Sequence, residues 1–284
     1  EALVKNLVRQ AHYKIFILSL SKDRFQNLQK PCYDMICSAV FVWINMRFDI
    51  ITIFPKIFDS YFNESIIKRA VQKKKVKIKT WNLRDFTRDK YKKVDDKPYG
   101  GGAGMVLMAE PILRAVQKIN PPTFPRGIRE GGGIKPGVKT KIVVLSAKGR
   151  QFNQKMAYDW SKKYQNFVFI TGRYEGIDER VVKALRAEEI SIGPYITTDG
   201  DVVVMVIISA LVRLIPNVIN WSSLEDESFF RKTISQGAKT GQLEYPHYTR
   251  PETLKYKGKK YRVPMVLLSG DHKKINIWRQ GHKI

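Results

Sequence analysis

A parallel α/β sheet is the fold class that this sequence predicts, on three observations. The stretches KTKIVVLSA (139–147) and NFVFITG (166–172) are continuous apolar runs of strand length, as strands read when both faces are buried. Between them NQKMAYDWSKKY (153–164) reads as a helix, and strand, helix, strand is the unit from which parallel sheets are built. Glycines then mark the ends of the runs, in LSAKGR, TGRYEGIDERV and SIGPYITTDGD. One glycine at a strand end is ordinarily a turn. Three at neighbouring ends predict a shared ligand crevice, because parallel sheets bind ligands outside the carboxyl ends of their strands.

The elements follow in order. Residues 1–45 show no sustained period and are left unassigned; an N-terminal arm for RNA or a partner has no amphipathic stripe behind it, and Met46 reads as the start of the ordered chain. RFDIITIF (47–54) is a buried strand. KIFDSYFNESIIKRAVQKK (56–74) is a helix, with Ile57, Tyr61, Ile66 and Ala70 at near-helical spacing. KVKIKTW (75–81) is a strand by its period of two. VDDKPYGGGAGM (94–105) is a glycine loop that lacks the Gly-Lys-Ser/Thr of a phosphate loop and the spacing of a dinucleotide fingerprint. It must bend sharply or lie against something. Asp95 and Asp96 before it read as loop caps or partners of nearby Arg and Lys, with direct catalysis as the lesser reading. EPILRAVQKI (110–119) is a short helix with Pro111 near its start, and NPPTFPRGIREGGGIKPG (120–137) is a surface loop.

Composition narrows the function. The 284 residues suffice for one large domain or two ordinary ones, and 51 Lys+Arg against 26 Asp+Glu give a formal net charge of +25. Such an excess repels itself unless polyanions offset it, so nucleic acid is the favoured partner. Cys32 and Cys37 are the only cysteines, which excludes a disulfide framework or a four-cysteine zinc site and fits a reducing cytoplasm. His12, His247, His272 and His282 lack metal-ligand spacing, so no structural metal is expected. The longest apolar runs, MICSAVFVWI and VVVMVIISALV, fall short of the roughly 20 residues of a membrane span, and a signal peptide fits poorly.

VDDKPYGGGAGM, GRYEGIDERV, SIGPYI and LEYPHYTRPE, in this order, resemble bacterial tRNA (guanine-N1)-methyltransferase, which methylates the guanosine just 3′ of the anticodon. FDIITIFPKIF, WNLRDFT, RLIPNVI and VPMVLLSGDH extend the likeness from Met46 to the end. The resemblance implies a SPOUT-type parallel sheet with a C-terminal trefoil knot over 46–219, a linker at 220–243, and a small helical tRNA-binding domain from 244 to 284. It implies a homodimer that binds the anticodon stem-loop of tRNA, with S-adenosylmethionine held by Leu145, Ser146, Gly172, Tyr174, Glu175, Gly176, and the loop Ile192, Gly193, Pro194, Tyr195, Ile196 and Thr197. It also puts the glycine loop near the methyl donor and the target base. Guanine N1 carries a proton at neutral pH, so methylation needs a base and a group to hold charge on O6. By motif these are Glu227, before Ser228-Phe229, and Arg213, before the Ile-Pro turn; Asp226 is the neighbouring candidate if the register slips. Participation of Mg2+ is left open.

Three departures qualify the likeness. Where the family reads Gly-Asp-Tyr-Val-Leu, Ser or Thr, then Gly-Gly-Glu, this chain has GPYITTDGD: Pro194 removes a backbone donor, and Asp199 stands where a glycine is usual. If that position needs positive φ, strain of about 1 kcal/mol is expected. VVVMVII, in the helix that follows, is β-branched and intrinsically prefers strand. The family's C-terminal domain also continues beyond INIWRQGHKI, so truncation is expected. The alternative reading is an RNA-binding homologue that has lost its hold on the methyl donor.

Overall fold

Strand side chains alternate between two faces, and here both faces are apolar, so the sheet must be covered twice. A computed structural model describes residues 45–120, 139–220, 223–224, 227–229 and 244–282. The unassigned stretch before residue 45, the Pro/Gly-rich loop from 121, Asp226 and the basic run RKTISQGAKTG lie outside the described residues. Five strands, β1 (Met46–Thr52), β2 (Val76–Asn82), β5 (Thr140–Gln151), β6 (Asn166–Ile170) and β7 (Glu188–Ser191), form one sheet in the order β2-β1-β6-β5-β7, with every pairing parallel. The predicted parallel α/β class is what forms.

On one face Phe48, Ile50, Val143, Leu145, Phe167 and Phe169 pack with helix α4 (Gln154–Lys163) and helix α6 (Gly200–Val212). On the other, Ile51, Val144, Val168 and Ile170 pack with α3 (Ala109–Ile119) and with Val181 of α5 (Glu179–Leu185). Phe48, Phe167 and Phe169 are fully buried and stack at 5.5 to 6.3 Å. Each such ring contributes about 1.5–3 kcal/mol by burial. VVVMVII is helix despite its β-branched residues: Val203, Val204, Ile207, Ile208 and Leu211 are all buried, and that burial outweighs local preference.

Two expectations need correction. The helix expected over 56–74 is a 3-10 turn (Pro55–Phe58) followed by α1 (Asp59–Phe62) and α2 (Ser65–Gln72). It breaks at Ser65, which has φ 49°. The break turns Phe58, Phe62, Ile67 and Ala70 inward, while Tyr61 stays exposed. The strand expected to end at LSA runs on to Gln151: Ile190 pairs with Leu145 and again, past a bulge, with Arg150. Gly149 makes the return feasible, since a Cβ there would stand 2.5 Å from the Glu189 carbonyl carbon.

The glycine loop leads from β3 (Asp95–Asp96) to β4 (Val106–Leu107), which pair antiparallel. Residues 244–282 hold an antiparallel hairpin, β8 (Thr253–Tyr256) and β9 (Lys259–Arg262), as well as helices α7 (Met265–Leu268) and α8 (His272–Gly281).

Candidate active site

The carboxyl ends of β5, β6 and β7 open into a cleft of about 470 Å³. Ten of the twelve residues singled out for cofactor binding line it: Leu145, Ser146, Gly172, Tyr174, Glu175, Gly176, Ile192, Tyr195, Ile196 and Thr197. Gly193 and Pro194 do not. Gly193 is buried behind the wall, where its carbonyl accepts from Ser191 Oγ at 2.9 Å, and Pro194 points to solvent. Much of the wall is backbone. Gly176 has φ +120° and open space where a Cβ would stand. Gly200 approaches so closely that its Cβ would meet Gly172 N at 2.9 Å, and Gly200 N donates to the Gly172 carbonyl at 2.9 Å.

The glycine loop reaches this wall. Gly100, Gly101, Gly102 and Gly104 all have positive φ, which few other residues tolerate. The chain after them is stitched to the cleft segment, with Glu175 N on Met105 O and Leu107 N on Gly176 O, both at 3.0 Å. A Cβ on Gly104 would stand 2.6 Å from Glu175 Cγ. Asp96 accepts from Lys97 N at 2.8 Å, as the capping reading expects; among the described residues no ion pair joins Asp95 or Asp96 to Arg or Lys.

Asp199 is not strained. Its φ of −164° is extended, and its Oδ1 accepts from the N–H groups of Asp201 and Val202 at 2.9 and 3.3 Å, capping α6. Arg173 Nη2 donates to Asp199 Oδ2 and Asp201 Oδ2, each at 3.1 Å, and the guanidinium lies 4.4 Å from the centre of the Phe54 ring. From sequence alone the RYEGIDER acids could pair with Arg173 or Arg180; Asp178 pairs with Arg180 at 2.6 Å, and Arg173 turns to Asp199 and Asp201. The buried Asp201 gave no local signal, because an acid in a helix's first turn reads as solvated. Lys148, also missed, lies 2.6 Å from Glu179 and 3.5 Å from Glu189. Its hydrogen bond to Glu179 raises its pKa and lowers that of Glu179, and the hydrogen bond from Arg180 holds Asp178 low.

Arg213 and Glu227 are brought together elsewhere. Both Glu227 oxygens accept from the Arg213 guanidinium, Oε2 at 2.7 Å from Nη1 and Oε1 from Nη2. Arg213 ends α6 and lines a second cleft of about 240 Å³ with Tyr61, Ser209 and Ile219. The larger cleft lies at the N-terminal end of the same helix, about 20 Å away at 1.5 Å per residue. Ser228 and Glu244 bind reciprocally, Ser228 N to Glu244 Oε1 at 2.8 Å and Glu244 N to Ser228 Oγ at 3.1 Å. Among the described residues no group of three or more His, Cys, Asp or Glu is placed to hold a metal ion, and no helix is long and apolar enough to cross a membrane.

Comparison with known proteins matches residues 46–284 to the family model described as tRNA (Guanine-1)-methyltransferase TrmD. The chain is 45% identical over 240 residues to a tRNA (guanine-N(1)-)-methyltransferase of Carboxydothermus hydrogenoformans, covering 84% of this chain and 83% of that one. It is 44% identical to the protein of the same name from Clostridioides difficile (84% and 93% covered) and 45% identical to that from Dictyoglomus turgidum (83% and 84%).

Proposed function

The chain belongs to the tRNA (guanine-1)-methyltransferase family, and from that premise we propose that it transfers a methyl group from S-adenosylmethionine to N1 of guanosine 37 of tRNA, beside the anticodon. The observation that carries this reading is the convergence of three strand-end loops on one cleft, with Leu145-Ser146, Gly172 to Gly176 and Ile192 to Thr197 on its wall. Its 470 Å³ falls within the usual range of roughly 300–1,000 Å³ for small-molecule sites. A wall of glycine and main chain suits an adenine edge held by backbone hydrogen bonds. When bound, S-adenosylmethionine supplies a methyl group activated by a sulfonium.

Glu227 accepts the N1 proton, with Asp226 as its neighbouring candidate, and Arg213 holds the charge developing on O6. Both oxygens of Glu227 are occupied by Arg213 in the free chain, so the entering guanine opens that pair. General-base help of this kind supplies about 10²–10⁴ in rate. Because α6 keeps these residues about 20 Å from the methyl-donor cleft, base and donor come from different chains of a homodimer. The outer face of α6 supports this: Val202 and Val206 are exposed, as is Tyr61, whose hydroxyl donates to Ser209 of the same helix at 3.0 Å, apolar surface suited to a second copy.

In the same reading residues 46–219 form a SPOUT domain tied in a trefoil knot. Support comes from the passage of the 192–200 segment against the end of β6, where Gly172 and Gly200 touch. Residues 220–243 are a linker, and 244–284 form a tRNA-binding domain whose hairpin exposes Tyr256, Lys259, Lys260 and Tyr261 for phosphate and base contacts. Such a role places the protein in the cytoplasm. No site for Mg2+ is assigned among the described residues.

The test is transfer of labelled methyl from S-adenosylmethionine to a tRNA transcript with guanosine at position 37, beside an adenosine control. Label on guanine N1 alone is expected; label on neither transcript from folded protein sinks the reading. Mixing a Glu227→Ala chain with a Gly172→Trp chain tests the shared site. Random pairing of two dead chains is expected to restore roughly a quarter of full activity if each site takes one part from each subunit. No recovery from mixed dimers refutes the shared site.

A further inference from the structure

The charge of the cleft runs against the charge of the chain. The protein carries 51 Lys+Arg against 26 Asp+Glu, yet the charged groups on the cleft wall are Lys148 and Arg173 against Glu175, Glu189 and Asp199. Both cations are already engaged. Lys148 holds Glu179, and Arg173 divides one nitrogen between Asp199 and Asp201. Asp201 is fully buried, and its Oδ1 has no hydrogen-bond partner among the described residues. One guanidinium therefore faces two carboxylates at the start of α6. The helix dipole, worth about half a unit charge, offsets only part of that excess. A buried excess of one sign is unfavourable until a group of the opposite sign completes it.

The two ligands that this cleft must handle in turn differ in that respect. S-adenosylmethionine carries a positive sulfonium; the S-adenosylhomocysteine left after transfer has a neutral thioether in its place. We propose that Asp199 is a specificity-determining residue, whose carboxylate biases the cleft towards the sulfonium form and against the spent product. The inference rests on the reading above that the cleft takes S-adenosylmethionine. Asp199 is fixed for this role: its side chain is 7% exposed and it lies on the cleft wall. Its oxygens are held from both sides, Oδ1 by two backbone N–H groups and Oδ2 by Arg173 and Thr198 at 3.1 and 3.2 Å. It cannot turn away when the ligand changes. The same anionic wall repels phosphodiesters, so RNA presents a base edge here and keeps its backbone elsewhere.

The experiment is calorimetric titration of the full chain with each ligand, for the wild type, Asp199→Asn and Lys148→Gln. Asparagine is as good a helix N-cap as aspartate, so the first exchange removes the charge and keeps the cap. The ratio of affinities, sulfonium form over thioether, is expected to fall roughly threefold to tenfold in Asp199→Asn. It rises in Lys148→Gln, and it narrows in the wild type as salt is raised. If Asp199→Asn weakens both ligands alike, the residue only shapes the loop and the proposal is overturned. If that variant does not fold, a ratio unmoved by Lys148→Gln and by salt overturns it equally. A folded wild type that binds neither ligand removes the methyl-donor reading itself, a different result from an unchanged ratio.

Discussion

The two ends of α6 are built on different principles. At its N-terminal end the cleft is made of strand ends and glycines set into the core, with Gly200 against Gly172 and Asp199 locked between the helix start and Arg173. At its C-terminal end, the proposed reaction chemistry rests on one ion pair, Arg213 with Glu227, whose side chains remain 34% and 17% exposed. The difference teaches that binding and proton transfer can be disabled separately. A cleft whose wall is backbone fails when backbone is displaced. A pair of side chains fails by deletion, with the backbone left in place.

The largest effect that sharpens this contrast is expected at the exposed pair. Arg213→Ala should lower kcat by about 10²–10³ while S-adenosylmethionine affinity stays within about twofold, and Arg213→Lys should recover part of the loss. A matching loss of affinity, read by calorimetry, breaks the separation. Gly149→Ala comes next. Its Cβ would stand 2.5 Å from Glu189 main chain, which cannot yield as a side chain can, so about 1–3 kcal/mol of stability should be lost in thermal unfolding. A melting temperature equal to the wild type's would show that the bulge relaxes freely.

Gly200→Ala is milder, with a Cβ 2.9 Å from Gly172 N. It should cost about 1 kcal/mol of stability and about tenfold in methyl-donor affinity. The Arg213–Glu227 pair should keep its function, so kcat at saturating donor should hold. The smallest effect belongs to Asp178, held low chiefly by its hydrogen bond from Arg180. A depressed folded pKa gives stability that is present above the unfolded value of about 3.9 and is lost as pH falls through the folded value. Asp178→Asn should therefore fall slightly below the wild type near pH 6 and converge with it in acid. Its exposed partner keeps the difference small. Acid unfolding curves that stay parallel to low pH would contradict the assignment.

The sequence by itself determined the class of the fold and the wall of the cleft, because both are local. Continuous apolar runs such as NFVFITG mean strands buried on two faces wherever they stand. The glycines of TGRYEG and SIGPYI mark chain ends that must bend, and their order carried the family likeness that singled out ten residues found together on the cleft wall. What tertiary structure alone decided was how distant segments meet. The helix over 56–74 broke because Phe58, Phe62, Ile67 and Ala70 had to face the core, a demand not visible in near-helical spacing. Asp199 looked like a strained substitute for glycine, yet Arg173, 26 residues earlier, and the start of α6 make it a cap at ordinary backbone angles. VVVMVII prefers strand by composition and is held as helix for the same reason. Side-chain preferences there amount to tenths of a kcal/mol per residue, and burial against a sheet contributed by other parts of the chain amounts to about 1.5–3 kcal/mol for each large side chain.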